Sequence, residues 1–174
     1  MAINIYLGCD LFTEGQRWQA LNIEEALNKE FGNQINLYNP ANNLTINDKS
    51  AGFASGSQIL MADYQRLKES DILIALMDTN DLGLAAEMGM AWVQGKPIFQ
   101  LHTDIRLGGN DKQDKLDELQ KDIFQNDFLY INKLVTGLSY VNEQGEAHDP
   151  TIYQTSEALI KGITQHIKKE LSKG

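Results

Sequence analysis

The chain has 174 residues, 42% of them hydrophobic and 22% charged, with a formal net charge of −9. That length supports one domain, spanning 1–174, with a sizeable core, and is short for two. The acidic balance repels phosphate backbones and anionic bilayers, and no apolar run approaches the roughly 20 residues that cross a membrane, so nucleic-acid and membrane partners are disfavoured.

The opening stretch, Met1 to Gly8, lacks the basic region and cleavage site of a secreted protein. The single cysteine, Cys9, allows neither an internal disulfide nor a multi-cysteine metal site. Both features predict a reducing, cytoplasmic setting. Ile3 to Leu7 is short, apolar and rich in β-formers, the pattern of a buried strand that breaks at Gly8. Thr13-Glu-Gly-Gln16 has capping-box spacing, and a helix is predicted after it with Trp18, Leu21, Leu27 and Phe31 inward, stopped at Gly32-Asn33. Ile35 to Tyr38 reads as a second strand, followed by Pro40 and a polar loop over 42–57. Ser55-Gly-Ser57 reads as a helix cap rather than an anion site.

A second helix is predicted over 58–69, with Ile59, Leu60, Tyr64 and Leu67 on its apolar side. Asp71 caps the junction to an apolar run, Ile72 to Met77, that fits a central parallel strand. Residues 78–81 form a loop, 83–93 a helix ended near Gly95, and 97–101 another strand. An amphipathic helix is expected over 114–124 (Leu116, Leu119, Ile123), then strand character over 128–141 and a turn at 143–145. A last helix carries Leu159, Ile160, Ile163, Ile167 and Leu171. Alternating strands and helices predict an α/β fold: a single doubly wound, mostly parallel five-stranded sheet in a flavodoxin-like three-layer arrangement. Ligands then sit beyond the carboxyl ends of the strands, at the loops 9–12, 78–82 and 102–109.

The segment from Leu82 to Val93 carries one charge, Glu87, among Ala, Met and Gly. An ionised carboxylate in apolar surroundings is costly unless something favours it, and the start of a helix does. The competing role is mere complementation of the helix dipole. Gly83 and Gly89 leave room for close approach of a ligand or backbone. Asp81 closes the preceding loop and has the position of an N-cap. Asp63 shares a helix face with Ile59 and Leu67, which places a carboxylate on an apolar stripe. Several carboxylates converging on one pocket suit acid/base and nucleophilic work at a glycosidic bond. Cys9 has no activating partner in sequence and reads as a small core or pocket residue. His102, His148 and His166 lack metal-ligand spacing, and no metal or cofactor motif is present. Asp104-Ile-Arg106 fits a local ion pair or a mobile lid equally well.

Tyr6-Leu-Gly-Cys9, Asp63 ahead of Ser70-Asp71-Ile-Leu-Ile-Ala, and Asp81-Leu-Gly-Leu-Ala-Ala-Glu87-Met-Gly-Met-Ala together resemble the nucleoside 2-deoxyribosyltransferase family, over about residues 3–138. The resemblance implies an enzyme of deoxynucleoside salvage and catabolism that exchanges the base of 2'-deoxynucleosides. It makes Glu87 the nucleophile that forms a covalent deoxyribosyl ester, and Tyr6 the hydroxyl that orients it. Asp63 and Asp81 take base protonation and sugar contacts, undivided between them. Phe12 packs against the base, Asn132 reaches a neighbouring subunit's sugar, and Cys9 and Gly83 line the pocket. The implied ligands are deoxynucleosides and free nucleobases, with no cofactor, and the implied assembly is a homo-oligomer with shared sites. Two departures stand out. Residues 163–174 read as a polar helix where well-known transferases carry an aromatic tail, and Asp10-Leu11 replaces a small-aromatic pair. The alternatives are hydrolysis of a deoxynucleoside 5'-monophosphate by the same superfamily, which a carboxylate at Asp81 opposes, and a non-catalytic nucleoside sensor.

Overall fold

Successive side chains of a strand point to opposite faces, so the apolar runs can bury both sides of a sheet only if helices cover both. A computed structural model, which describes residues 2–43, 54–79, 81–105, 113–114, 117, 127–128 and 131–173, has this arrangement. Strand β1 (Ile3–Cys9) is followed by helix α1 (Glu14–Phe31), β2 (Ile35–Tyr38), α2 (Gly56–Glu69), β3 (Ile72–Leu76), α3 (Leu82–Trp92) and β4 (Ile98–Leu101). A short antiparallel pair, β5 (Asp127–Phe128) and β6 (Ile131–Asn132), precedes α4 (Lys133–Gly137), β7 (Ile152–Tyr153) and α5 (Ser156–Leu171).

The main sheet has the order β2-β1-β3-β4-β7 with every pairing parallel. This is the flavodoxin-like order, and the direction in which successive strands are added reverses between β1 and β3. Ile5, Leu7, Ile72, Ile74, Leu76, Phe99 and Leu101 pack on one face against Ala20, Ile23 and Leu27 of α1 and Leu159, Ile163 and Ile167 of α5. Tyr6, Leu73, Ala75 and Ile98 face the other way, against Leu67 of α2 and Leu84, Met88 and Ala91 of α3. Asp71 ties β3 to β1 as its Oδ2 accepts from Asn4 N at 2.8 Å. Thr13 and Ser55 each close a capping box, with Gln16 and Gln58 respectively.

Four expectations are corrected. In α1 the inward residues are Ala20, Ile23, Leu27 and Phe31, whereas Trp18 is 67% exposed. Positions 20, 23, 27 and 31 form one 3.6-residue stripe, and residue 18 falls on the opposite side from residue 20. Leu21 is likewise exposed. In α2 only Leu67 is buried, while Ile59, Leu60, Met61 and Tyr64 remain exposed. Among the described residues the expected strand over 128–141 is reduced to the β5–β6 pair and a lone bridge from Val141 to Ala147, because Asn132 caps α4 and turns the chain into a helix. The fifth sheet strand is instead Ile152–Tyr153, which pairs with Gln100 and Leu101. The last helix buries Leu159, Ile163 and Ile167 and is amphipathic rather than polar. His166 packs edge-on against Phe99 at 5.3 Å. The helix expected over 114–124 lies largely outside the described residues. Among the described residues no helix is long and apolar enough to cross a membrane.

Candidate active site

Helix α3 begins where Asp81 accepts a hydrogen bond from Leu84 N, the N-cap role its position predicts. Leu84, Met88 and Ala91 then face the sheet. Glu87 lies beside this stripe, three residues after Leu84 and four before Ala91, so its side chain leans towards β1. Tyr6 projects from β1 into the same layer with no exposed surface, and its hydroxyl donates to Glu87 Oε1 at 2.9 Å. Burial pushes the Glu87 carboxyl up to about 7. The Tyr6 hydrogen bond opposes that rise, and the negative charges of Asp63 and Asp81 add to it. The same burial, together with Glu87, raises the Tyr6 hydroxyl, which therefore keeps its proton as a donor.

Asp63 reaches this pair from α2, one turn before buried Leu67. It is half-buried, and desolvation raises its carboxyl while hydrogen bonding to the Tyr6 hydroxyl pulls it partway back. Both carboxyl groups thus lie within electrostatic reach of the Tyr6 hydroxyl. Such a pair can hold one carboxylate as a nucleophile and one acid as a proton donor.

Beyond the carboxyl end of β1 lies a cavity of about 300 Å³, lined by Cys9, Asp10, Leu11, Phe12, Arg17, Ala41 and Asp81. Glu87 stands next to its Cys9 end: burial first, then the Glu87 charge, push the Cys9 thiol up to about 12, so Cys9 is a neutral wall. Phe12 is 75% exposed at the rim. A Cβ on Gly83 would come within 3.0 Å of Asp81 Oδ1, so a bare backbone there preserves the cap. Among the described residues no group of His, Cys, Asp and Glu is arranged to hold a metal ion.

The structure therefore gathers Tyr6, Asp63, Asp81, Glu87, Cys9, Phe12 and Gly83 at one end of the sheet. Asn132 is not among them. It is exposed, and its Oδ1 accepts from Leu134 N at 2.9 Å and Val135 N at 3.4 Å as the cap of α4. Arg106 lies outside the described residues, and with it the choice between ion pair and lid. Sequence reasoning assigned no role to two further residues. A Cβ on Gly8 would overlap Leu84 Cδ1 and sit 3.1 Å from Glu87 Oε2, so a side chain there would displace the Leu84 methyl and crowd the carboxylate. Asp10 is 8% exposed and accepts from the Thr79 hydroxyl and from Gln16 Nε2 at 3.2 Å. Its sequence signals are a charge directly continuing an apolar strand and the departure of Asp10-Leu11 from the family pattern.

Residues 5–120 match the family model described as Nucleoside 2-deoxyribosyltransferase. No curated protein matches the chain. Among solved structures, a conserved protein from Enterococcus faecalis is 34% identical, with a TM-score of 0.75, covering 95% of this chain and 99% of that one. A CMP N-glycosidase from Clostridium botulinum is 17% identical with a TM-score of 0.55, covering 94% and 98%, a likeness of fold. A 2-deoxyribosyltransferase from Bacillus psychrosaccharolyticus is 25% identical with a TM-score of 0.48, covering 57% and 72%.

Proposed function

The chain belongs to the nucleoside 2-deoxyribosyltransferase family, and from that premise we propose that it is an enzyme of N-glycosidic bonds that exchanges the base of 2'-deoxynucleosides through Glu87. The observation that supports this reading most is the Tyr6 hydroxyl donating to Glu87 Oε1 at 2.9 Å, with Asp63 against the same hydroxyl.

In this reading the Glu87 carboxylate attacks C1' of the sugar, and the C1'–N bond breaks with its electron pair leaving on the base. Asp63 or Asp81 supplies the proton that the departing base takes up, and the product is a deoxyribosyl ester of Glu87. A second base then attacks C1', the ester bond breaks back to the carboxylate, and the proton returns to the acid. Two inversions leave the anomeric configuration retained. Tyr6 holds the carboxylate in line and disperses its charge. Phe12, Cys9 and Gly83 shape the pocket. A 2'-deoxyribosyl group lacks the electron-withdrawing hydroxyl, which eases its oxocarbenium-like transition state.

The uncovered apolar face of α2, with Ile59, Leu60, Met61 and Tyr64, supports a homo-oligomer in which Asn132 serves a neighbouring subunit's pocket. Sedimentation velocity is expected to give a dimer or larger species, and a monomer at working concentration contradicts this part. The lone cysteine fits a reducing, cytoplasmic setting. The enzymatic reading is tested by incubating a 2'-deoxynucleoside with a different free base. Appearance of the exchanged nucleoside supports it. Base and free deoxyribose without exchange points to hydrolysis, and no reaction favours a sensor.

A further inference from the structure

Tyr6 reaches Glu87 only while its ring is held in place, and the sheet register supplies the neighbours that hold it. Tyr6 pairs with Leu73 of β3 on one side and with Tyr38 of β2 on the other. Partners in register share a face of the sheet. Leu73 is fully buried, so the core walls that side of Tyr6. On the other side the Tyr6 and Tyr38 rings meet, with centroids 5.3 Å apart and planes tilted by 44°.

Tyr38 itself has less to lean on. β2 is an edge strand, so among the described residues no further strand backs it. A cavity of about 480 Å³, whose lining includes Tyr38 and Arg66, opens there instead. Polar contacts tie the ring down. The Arg66 guanidinium of α2 lies over it, 5.0 Å from the centroid. The Asn43 side chain donates to its hydroxyl at 3.1 Å. Asn43 belongs to a turn that is anchored in its own right. Asn43 N donates to Pro40 O at 2.9 Å, and the Asn39 amide donates to Glu24 Oε2 of α1 at 2.7 Å. Arg66 also follows Asp63 by three residues, about one turn along the same side of α2. Leu67 is the one buried residue of that helix, so the contact with Tyr38 is a second attachment for the element that carries Asp63.

We propose that Tyr38 is a positioning residue: clamped by Arg66 and Asn43, it is the outer wall that aims the Tyr6 hydroxyl at Glu87 and fixes the turn of α2 carrying Asp63. It acts through Tyr6 rather than on the substrate, and it rests on the reading of Glu87 as the nucleophile. The hydroxyl lies at the far end of the Tyr6 ring, where a tilt displaces it most. A misplacement of about 1 Å near the reacting atoms can cost on the order of a hundred-fold in rate. The Tyr6 hydrogen bond also opposes the rise that burial imposes on the Glu87 carboxyl, so a loosened Tyr6 lets that carboxyl climb. The other groups facing Glu87 are Asp63 from α2, Asp81 at the start of α3 and the Cys9 thiol of β1, and substitution at Tyr38 changes none of them.

The test uses the full-length chain and three variants. Tyr38→Leu removes the ring, Tyr38→Phe keeps it and removes only the Asn43 tie, and Arg66→Gln removes the cation above it. One readout is the pH dependence of kcat and KM in base exchange. The other is titration of the Glu87 carboxyl by infrared difference spectroscopy against Glu87→Gln, which needs no turnover. Tyr38→Leu is expected to lower kcat about ten-fold or more at neutral pH with KM within about two-fold. Its acidic limb and its carboxyl titration should both move towards alkaline pH. Tyr38→Phe should hold kcat within about three-fold of the wild type, with the titration in place. Arg66→Gln should move both readouts in the same direction as Tyr38→Leu, by less. A merely structural Tyr38 would lower the unfolding midpoint and leave the limb and the titration of the folded variant unmoved. That result overturns the proposal, as does an equal loss in Tyr38→Phe or a change in KM alone. If Tyr38→Leu does not fold, Arg66→Gln, at an exposed position, decides: an unmoved limb and titration overturn the proposal. The infrared titration reads the Tyr6–Glu87 contact whether or not the wild type exchanges bases, so failure here is distinguishable from failure of the base-exchange reading.

Discussion

The hydroxyl of Tyr6 donates to Oε1 of Glu87 at 2.9 Å, joining the centre of the sheet to the helix that covers it. It is the opposing hydrogen bond in a setting where burial favours the protonated acid. Removing it with Tyr6→Phe should raise the Glu87 carboxyl further above about 7 and cost a hydrogen bond to a charged group, roughly 1.5–3 kcal/mol. The expected result is a loss of about ten-fold or more in kcat/KM at neutral pH, with part of the activity recovered in more alkaline buffer. A pH–rate profile of the variant checks both the size of the loss and the displacement of the acidic limb.

The wild-type profile has a predicted shape as well. A nucleophilic carboxylate must be ionised, and Glu87 is pushed up to about 7, so kcat/KM should fall as pH drops through that value. Asp63 is raised in the same site, and in the case where Asp63 rather than Asp81 supplies the proton it must be protonated, which brings the rate down again on the alkaline side. The two limbs belong to the pair of carboxyls rather than to either alone. An acidic limb at the ordinary carboxylate range, near 4.5, would contradict this picture of the site.

Burial of Glu87 also has a stability consequence. Its folded-state value lies above its ordinary value of 4.5, so between 4.5 and about 7 the folded chain holds a proton that the unfolded chain has released. Stability therefore declines as pH rises through this window and stays reduced above it, by up to about 3 kcal/mol for this group. Glu87→Gln should abolish activity and raise Tm at pH 8, with little or no gain near pH 4. Denaturation followed at both pH values separates this from a general packing change, which would act at both.

Gly8 offers a test of geometry rather than charge. Gly8→Ala places a Cβ against Leu84 Cδ1 and 3.1 Å from Glu87 Oε2. The Leu84 side chain or helix α3 must give way, and overpacking of this kind costs roughly 1–3 kcal/mol. Activity should fall by more than the stability loss explains, because the carboxylate loses its register with Tyr6. Comparing kcat/KM with the unfolding midpoint of the same variant checks this.

Most of the sheet was readable from the chain because each of its first four strands is an apolar run bounded by Gly, Pro or a cap. The fifth was not: Ile152–Tyr153 is too short to show a period, and it becomes a strand only by pairing with Gln100 and Leu101 of β4. Trp18 and Leu21 misled because hydrophobicity alone does not fix which stripe faces inward; Ala20, a small residue, marks the true contact. At the site, Glu87 was visible as a lone charge among apolar residues, and Asp63 by its spacing from Leu67. Their meeting with Tyr6 was not, since the hydroxyl and the carboxylate are 81 positions apart and only the parallel pairing of β1 with β3 brings them together. Asp10 was visible only as a departure from the family pattern, because its partners Gln16 and Thr79 belong to separate segments.

The central claim is that Glu87 becomes covalently bound to the sugar. Incubation with a 2'-deoxy-2'-fluoroarabinosyl nucleoside, whose fluorine slows breakdown of the ester, followed by peptide mass spectrometry tests this most directly. The fluoropentosyl mass is predicted on the peptide containing Glu87, with loss of the label in Glu87→Gln and its release when a free base is added. A label on any other residue, or turnover of the natural substrate by Glu87→Gln at the wild-type rate, would contradict it.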